Sequence, residues 1–220
     1  DGTRTEEGSD KMSHLQRKPQ PGQENYSPRE EPAIVEIAAH RREPKELTSA
    51  LRERLRLELV SLPELKLVGR MLYTDCDAQT SIQTKALVDG FYRDNCYTRI
   101  PHKVNPMVAY GVSIDFWKMQ GPCQYLYGTE VSSFDGVPGD METWIIPAAR
   151  YVRIWIDPND EQLFDYLDVL ERGDIGDLCG QVFRLMKRWC AEQGLSFAQA
   201  DEFERYDGTQ AGFYQYIPVV

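Results

Sequence analysis

Apolar positions along the chain fall into periods that predict its elements. Over residues 45–60, Leu47, Leu51, Leu55 and Leu59 recur at four-residue spacing behind Pro44, the pattern of an amphipathic helix. Residues 33–39 form a shorter apolar segment before it. Beyond Pro63, residues 65–73 read as a strand. Residues 80–96 read as a helix with Ile82, Leu87, Phe91 and Tyr92 inward, stopped by Ile100-Pro101. Two strands follow, 107–116 and 123–131, joined through Gln120-Gly121-Pro122 as a hairpin. After a turn-rich stretch at 134–139 the same order recurs. A strand at 144–156 has Pro147 confined to its beginning or to an edge. A helical region is marked by Leu163, Phe164, Leu167 and Leu170, interrupted over 173–180, resumed by Val182, Leu185, Met186 and Trp189, and closed by Gly194. Two aromatic and β-branched runs flanking Asp207-Gly208 then form a closing hairpin. Two tandem copies of βαββ predict an α+β domain with pseudo-twofold symmetry, antiparallel sheet halves, helices packed on one side and a central cleft at the joint.

Composition sets the boundaries of that domain. Residues 1–31 are Gly, Ser, Pro, Gln and charge, too poor in aliphatic side chains to offset their ordering entropy, and are expected to be a disordered leader. Met12 within them is a candidate natural start. Residues 32–62 are expected to form a helical arm, and 63–220 the folded domain. Arg52, Arg54 and Arg56 make the arm locally basic, but a lone helix is not a helix-turn-helix, so it is expected to pack or to join a homodimer through residues 45–60.

Lys and Arg total 25 against 35 Asp and Glu in 220 residues, a net charge of −10 that argues against a nucleic-acid surface and favours cationic partners. The sequence has no apolar run near the roughly 20 residues that span a bilayer and no signal peptide, so no membrane contact and a cytoplasmic location are expected. Five scattered cysteines, Cys76, Cys96, Cys123, Cys179 and Cys190, make no C-x-x-C pair, and three histidines do not cluster with them; reduced thiols and no metal or cofactor are expected.

The chemistry concentrates near the C-terminus. Strand alternation puts Glu202, Glu204 and Tyr206 on one face and Phe203 and Arg205 on the other. A buried carboxylate beside a tyrosine is costly unless a cation or hydrogen-bond donor meets it. Tyr110, Tyr125, Tyr127, Tyr151, Trp155, Trp189, Tyr206, Tyr214 and Tyr216 are more polar-tipped rings than a plain core needs, which suggests a pocket wall. A carboxylate among rings suits a lipophilic cation, held by charge and by ring faces. It equally suits an acid–base catalyst whose pKa burial has raised. Physics alone leaves both open. No G-x-S-x-G, P-loop or G-x-G-x-x-G in strand-to-helix context is present, and residues 173–177 read as a loop.

Leu67-Val68-Gly69, Ile100-Pro101, Tyr110-Gly111, Tyr127-Gly-x-Glu-Val131, Ile146-Pro147-Ala148 with Tyr151-Val152, Trp189, Phe203-Glu204-Arg205-Tyr206 and Tyr216-Ile217-Pro218-Val219 stand in an order that resembles the GyrI-like family, which includes the effector-binding domains of AraC- and MerR-type multidrug regulators. The resemblance covers residues 63–220. It implies a cleft for small hydrophobic, often cationic compounds, a pocket glutamate at Glu204, and aromatic walls at Tyr110, Tyr127, Tyr151 and Trp189, with Tyr206 and Trp155 near by. Departures are an insertion around residues 172–178 and the N-terminal sixty residues. No DNA-binding module accompanies the domain, so a stand-alone sensing or sequestering protein is expected. Two alternatives stay open: a GyrI-like hydrolase of strained cyclopropane-bearing alkylating toxins, using Glu204 with Glu130 or Glu202 as acid and base, and a protein-interaction role such as gyrase inhibition.

Overall fold

The computed structural model describes residues 48–75, 79–118, 122–167 and 175–220. Eight antiparallel strands form one sheet: β1 (Glu58–Leu62), β2 (Leu65–Thr74), β3 (Val108–Ile114), β4 (Cys123–Glu130), β5 (Glu142–Ile146), β6 (Ala149–Ile156), β7 (Glu202–Asp207) and β8 (Phe213–Pro218), in the order β1-β6-β8-β7-β3-β4-β2-β5. Outward from the central β3/β7 pair, β4 and β2 on one side answer β8 and β6 on the other. This is the predicted pseudo-twofold repeat of βαββ units.

Chain connectivity curls the sheet. In a flat sheet β1 and β2 would stand six strand spacings apart, about 29 Å. Yet only Pro63 and Glu64 separate them in sequence, a reach of roughly 10 Å. The edges must therefore turn toward each other. The pairing Glu58↔Arg153 through Leu62↔Ala149 continues in register as Leu65↔Ile146 through Gly69↔Glu142. Pro63 and Pro147 fall in the gap, where each removes a ladder donor and bends its strand. The expected single strand over 144–156 is thus two, broken at Pro147.

The curl gives the two faces different cores. One cluster gathers Leu67, Tyr110, Val112, Leu126, Ile146, Tyr151, Phe203 and Tyr216, with Val60 and Trp144 from the edge strands; only the inside of a curl brings both edges and the middle together. The opposite face carries the helices. Helices α2 (Thr80–Arg93) and α3 (Cys96–Arg99) cover Val68, Ala109, Tyr125 and Tyr127. On the second half, α1 (Ser49–Arg54), α4 (Glu161–Leu167) and α5 (Ile175–Glu192) cover Val152, Ile154, Ile156, Phe213 and Ile217. Within α2, Leu87 and Phe91 face the core as expected, whereas Ile82 and Tyr92 are 64% and 48% exposed. Helix α5 runs through Gly176 and Gly180, where an interruption is expected, and is followed by Gly194 with φ 70° and Leu195 N–H donating to the Cys190 carbonyl at 2.8 Å. Among the described residues no helix is long and apolar enough to cross a membrane.

The arm differs most from its periodicity. Thr48 caps α1 by accepting from Leu51 N–H at 3.3 Å, but the helix stops at Arg54, Arg56 takes φ 46°, and residues 58–62 become β1. Val60, Leu62 and Pro63 favour an extended chain with a partner to hand, and β6 supplies it. Leu51 and Leu55, 3% and 1% exposed, are buried in this chain's own core. Leu55→Ala is expected to cost about 2–4 kcal/mol, read as a lower urea midpoint; an unchanged midpoint would place α1 outside the cooperative fold. Leu47 lies outside the described residues. Cys123 is disulfide-bonded, against the expectation of reduced thiols, while Cys96 and Cys190 are free and buried.

Candidate functional site

The site grows from a missing side chain. Gly111, mid-β3, pairs with Tyr127 on one side and Glu204 on the other, at the joint between the repeats. A β-carbon there would lie 1.9 Å from the Tyr125 hydroxyl oxygen and 2.8 Å from Glu204 Oε2. The bare backbone leaves a hollow on the helix-bearing face, and into it β4 and β7 direct Tyr125 and Glu204. The Tyr125 and Tyr206 hydroxyls both donate to Glu204 Oε2 at 2.9 Å. Among the described residues two hydroxyls, and no cation, meet this carboxylate. Burial raises its pKa and the two hydroxyl donors pull it back down. Burial, followed by the charge of Glu204, pushes the Tyr125 phenol well up. Two residues along the same face, Glu202 is pushed up to about 7 by burial and then by Glu204.

Rings continue the hollow outward. The Tyr127 hydroxyl shares a hydrogen bond with that of Tyr92 at 3.0 Å, and the Tyr127 ring stands edge-on to Phe91 at 5.4 Å. Tyr206 lies 6.2 Å from Tyr127 and 5.0 Å from Phe213, touching the helix-side cores of both repeats. A cavity of about 550 Å³ opens beside it, walled by Tyr92, Tyr97, Met107, Pro158, Tyr206 and Phe213. Tyr206 is the hinge of this arrangement: its ring lines the cavity while its hydroxyl holds the acid.

The register brings together Glu204, Tyr127 and Tyr206, with Glu202 on the same face. It places Tyr110, Tyr151 and Trp155 on the opposite face. Tyr110 donates to Glu130 at 3.0 Å and its phenol pKa is raised, first by burial and then by that carboxylate. Tyr151 donates to the Pro147 carbonyl at 2.8 Å, and burial pushes it up to about 12. Trp155 stands edge-on to Tyr214 at 5.0 Å beneath the Arg56 guanidinium, 4.8 Å from its ring. Glu130 is therefore separated from Glu204 by the sheet, and of the two acid pairs only Glu202 with Glu204 shares a face. Trp189 packs half-buried against the helix-side core of the second repeat. Gly111 escapes a search for acids and rings, and Tyr125 stands among the rings named above but not among the residues assigned to the pocket. Their signals are a glycine inside a strand, which marks close approach, and the period of two linking Tyr125 to Tyr127.

The model of the family described as integron-associated effector binding protein, Cass2, matches residues 58–219. No curated protein matches the sequence. Among solved structures, SAV2435 bound to tetraphenylphosphonium has a TM-score of 0.54 at 13% identity, over 74% of this chain and 93% of that one. The integron cassette protein VCH_CASS2, from the mobile metagenome of Vibrio cholerae, has 0.52 at 13%, over 74% and 95%. The C-terminal domain of EcmrR has 0.50 at 15%, over 76% and 98%. At such identities these likenesses speak for the fold. With a family match that starts at β1 and runs through both copies of the repeat, the chain belongs to the integron-associated effector binding proteins and carries the effector-binding fold that its motifs anticipate.

Proposed function

We propose that this effector-binding domain takes a lipophilic cation in the cavity beside Tyr206, with Glu204 as its counter-charge, and acts in sensing or sequestration. The observation that carries the reading is a half-buried carboxylate satisfied by two phenols and, among the described residues, met by no cation. Such an acid costs least when an incoming positive charge neutralises it. Tyr206, Tyr92 and Tyr97 offer ring faces worth about 0.5–2 kcal/mol each to a desolvated cation. The ligand of SAV2435, tetraphenylphosphonium, is a cation of this class and supports the choice of probe. Tyr206 joins the two, since it lines the cavity and its hydroxyl donates to the carboxylate.

Calorimetric titration tests this. Tetraphenylphosphonium is expected to bind saturably, and tetraphenylborate, of like shape and opposite charge, is not. Glu204→Gln is expected to weaken the cation by about thirtyfold, about 2 kcal/mol. Equal affinity for both ions, or an isotherm unchanged in the variant, would remove Glu204 from the role. The hydrolytic alternative draws on one observation, the second acid Glu202 raised to about 7 on the same face, poised to donate or accept a proton near neutrality. Turnover of a strained cyclopropane substrate that is lost in Glu202→Gln would favour it over binding alone.

A further inference from the structure

A second cavity, about 460 Å³, lies on the same sheet face beside Glu202, and its chemistry differs from that of the first. Trp117, Phe183 and Phe197 form flat walls, with Phe183 and Phe197 edge-to-face at 5.1 Å. The polar lining is Arg184 and Lys187 from α5, one turn apart, with Gln215 from β8 and Glu202 from β7. Two of these groups have unmet needs. Among the described residues Arg184 Nη2 is buried with no hydrogen-bond partner, and Gln215, 6% exposed, keeps its Oε1 buried with no donor. Guanidinium does not shed its charge, so a buried N–H of this kind calls for an acceptor, best an anion that takes a bidentate or charge-assisted bond. A buried amide oxygen calls for an N–H or O–H. The two demands occur in one cavity between aromatic walls. Its cations outnumber its acids, in a protein whose net charge is −10.

We propose that this cavity is a separate binding site for a flat aromatic carboxylate bearing an N–H or O–H donor, the carboxylate held by Arg184 and Lys187, the donor by Gln215 Oε1, and the ring between Trp117, Phe183 and Phe197. Its charge preference is opposite to that of the Glu204 site, and it does not rest on the cation reading of that site. The two sites share β7 and β8: Gln215 is the register partner of Glu204.

Indole-3-acetate and tryptamine, the same ring with a carboxylate or an ammonium, are the probes. In calorimetry on the full chain, indole-3-acetate is expected to bind at one site, about tenfold or more tighter than tryptamine. Lys187→Gln, at an exposed position that folding tolerates, and Arg184→Gln are each expected to weaken indole-3-acetate by about tenfold, and Gln215→Leu to weaken it while sparing the corresponding acid without an N–H, naphthalene-1-acetate. Glu204→Gln is expected to leave it within about twofold. Tighter binding of tryptamine, no heat from indole-3-acetate at millimolar concentration, or affinity that survives Lys187→Gln would overturn the proposal. Failure of tetraphenylphosphonium to bind would sink the cation reading and leave this site standing.

Discussion

Gly111→Ala is expected to unseat Glu204 from its tyrosines and to destabilise the fold by about 3 kcal/mol, lowering the melting temperature by roughly 6–12 °C. The added methyl would sit 1.9 Å from the Tyr125 hydroxyl oxygen and 2.7 Å from the ring carbon that bears it. Tyr125 cannot step aside cheaply, because it is 5% exposed within the packed layer beneath α2. Nor can Glu204, whose Oε2 would be 2.8 Å from the same methyl. One of the two donors is lost, and the acid keeps only Tyr206. Two readouts separate this from a generic packing defect. Thermal unfolding gives the stability loss, and tetraphenylphosphonium affinity is expected to fall along with it. Tyr125→Phe provides the comparison: it removes the hydroxyl without adding volume, so it is expected to lose the hydrogen bond alone, about 1–2 kcal/mol. If Gly111→Ala is as stable as the parent and binds equally well, the hollow at the joint is not what positions the acid.

The same residues show how far the sequence carries. The repeat was legible because each copy buries two faces with different periods, and the order strand, helix, strand, strand is short-range information. The face of β7 was legible too, since alternation alone fixes that Glu204 goes with Tyr206 and against Arg205. What alternation cannot give is which strand lies alongside. Tyr110 and Tyr127 read as equivalent rings near a glycine, but the β3/β4 register puts Tyr110 opposite Gly128 and Tyr127 opposite Gly111. The two tyrosines therefore point to different faces. The leucine row at 47–59 misleads for a related reason. A four-residue spacing fits a helix, yet pairing with β6 makes residues 58–62 a strand, and long-range partners outweigh local propensity. Pro63 and Pro147 were visible as breakers. That they stand at matching corners of one continuous register follows only once β1 is seen to pair with β6 and β2 with β5.

The acid pair predicts an unusual pH profile. Glu202 and Glu204 both have folded-state pKa values raised above the ordinary glutamate value of 4.5, Glu202 to about 7, with burial as the first cause for each. A raised acid binds its proton more tightly when folded, so between about pH 4.5 and 7 the native state holds more protons than the unfolded chain. Stability is thus fully present below pH 4.5 and is lost as pH rises through about 7. Each acid contributes a slope of up to about 1.4 kcal/mol per pH unit. For Glu202 the whole loss is up to about 3 kcal/mol. Asp94, Asp140 and Asp207, whose pKa values are lowered from 3.8, act with the opposite sign, but only as pH falls below that value, outside the window. Chemical denaturation at intervals from pH 4.5 to 8 is therefore expected to give falling stability, and Glu202→Gln, which carries no proton to lose, to flatten much of the fall. Affinity for tetraphenylphosphonium is expected to run the other way, rising with pH as Glu204 ionises, because a neutral carboxyl offers no counter-charge. A protein that grows less stable alone while binding its cation more tightly as pH rises would tie both effects to ionisation of this pair of acids. Stability that instead rises over this window would mean that both carboxyls are already ionised and held by partners in the folded chain.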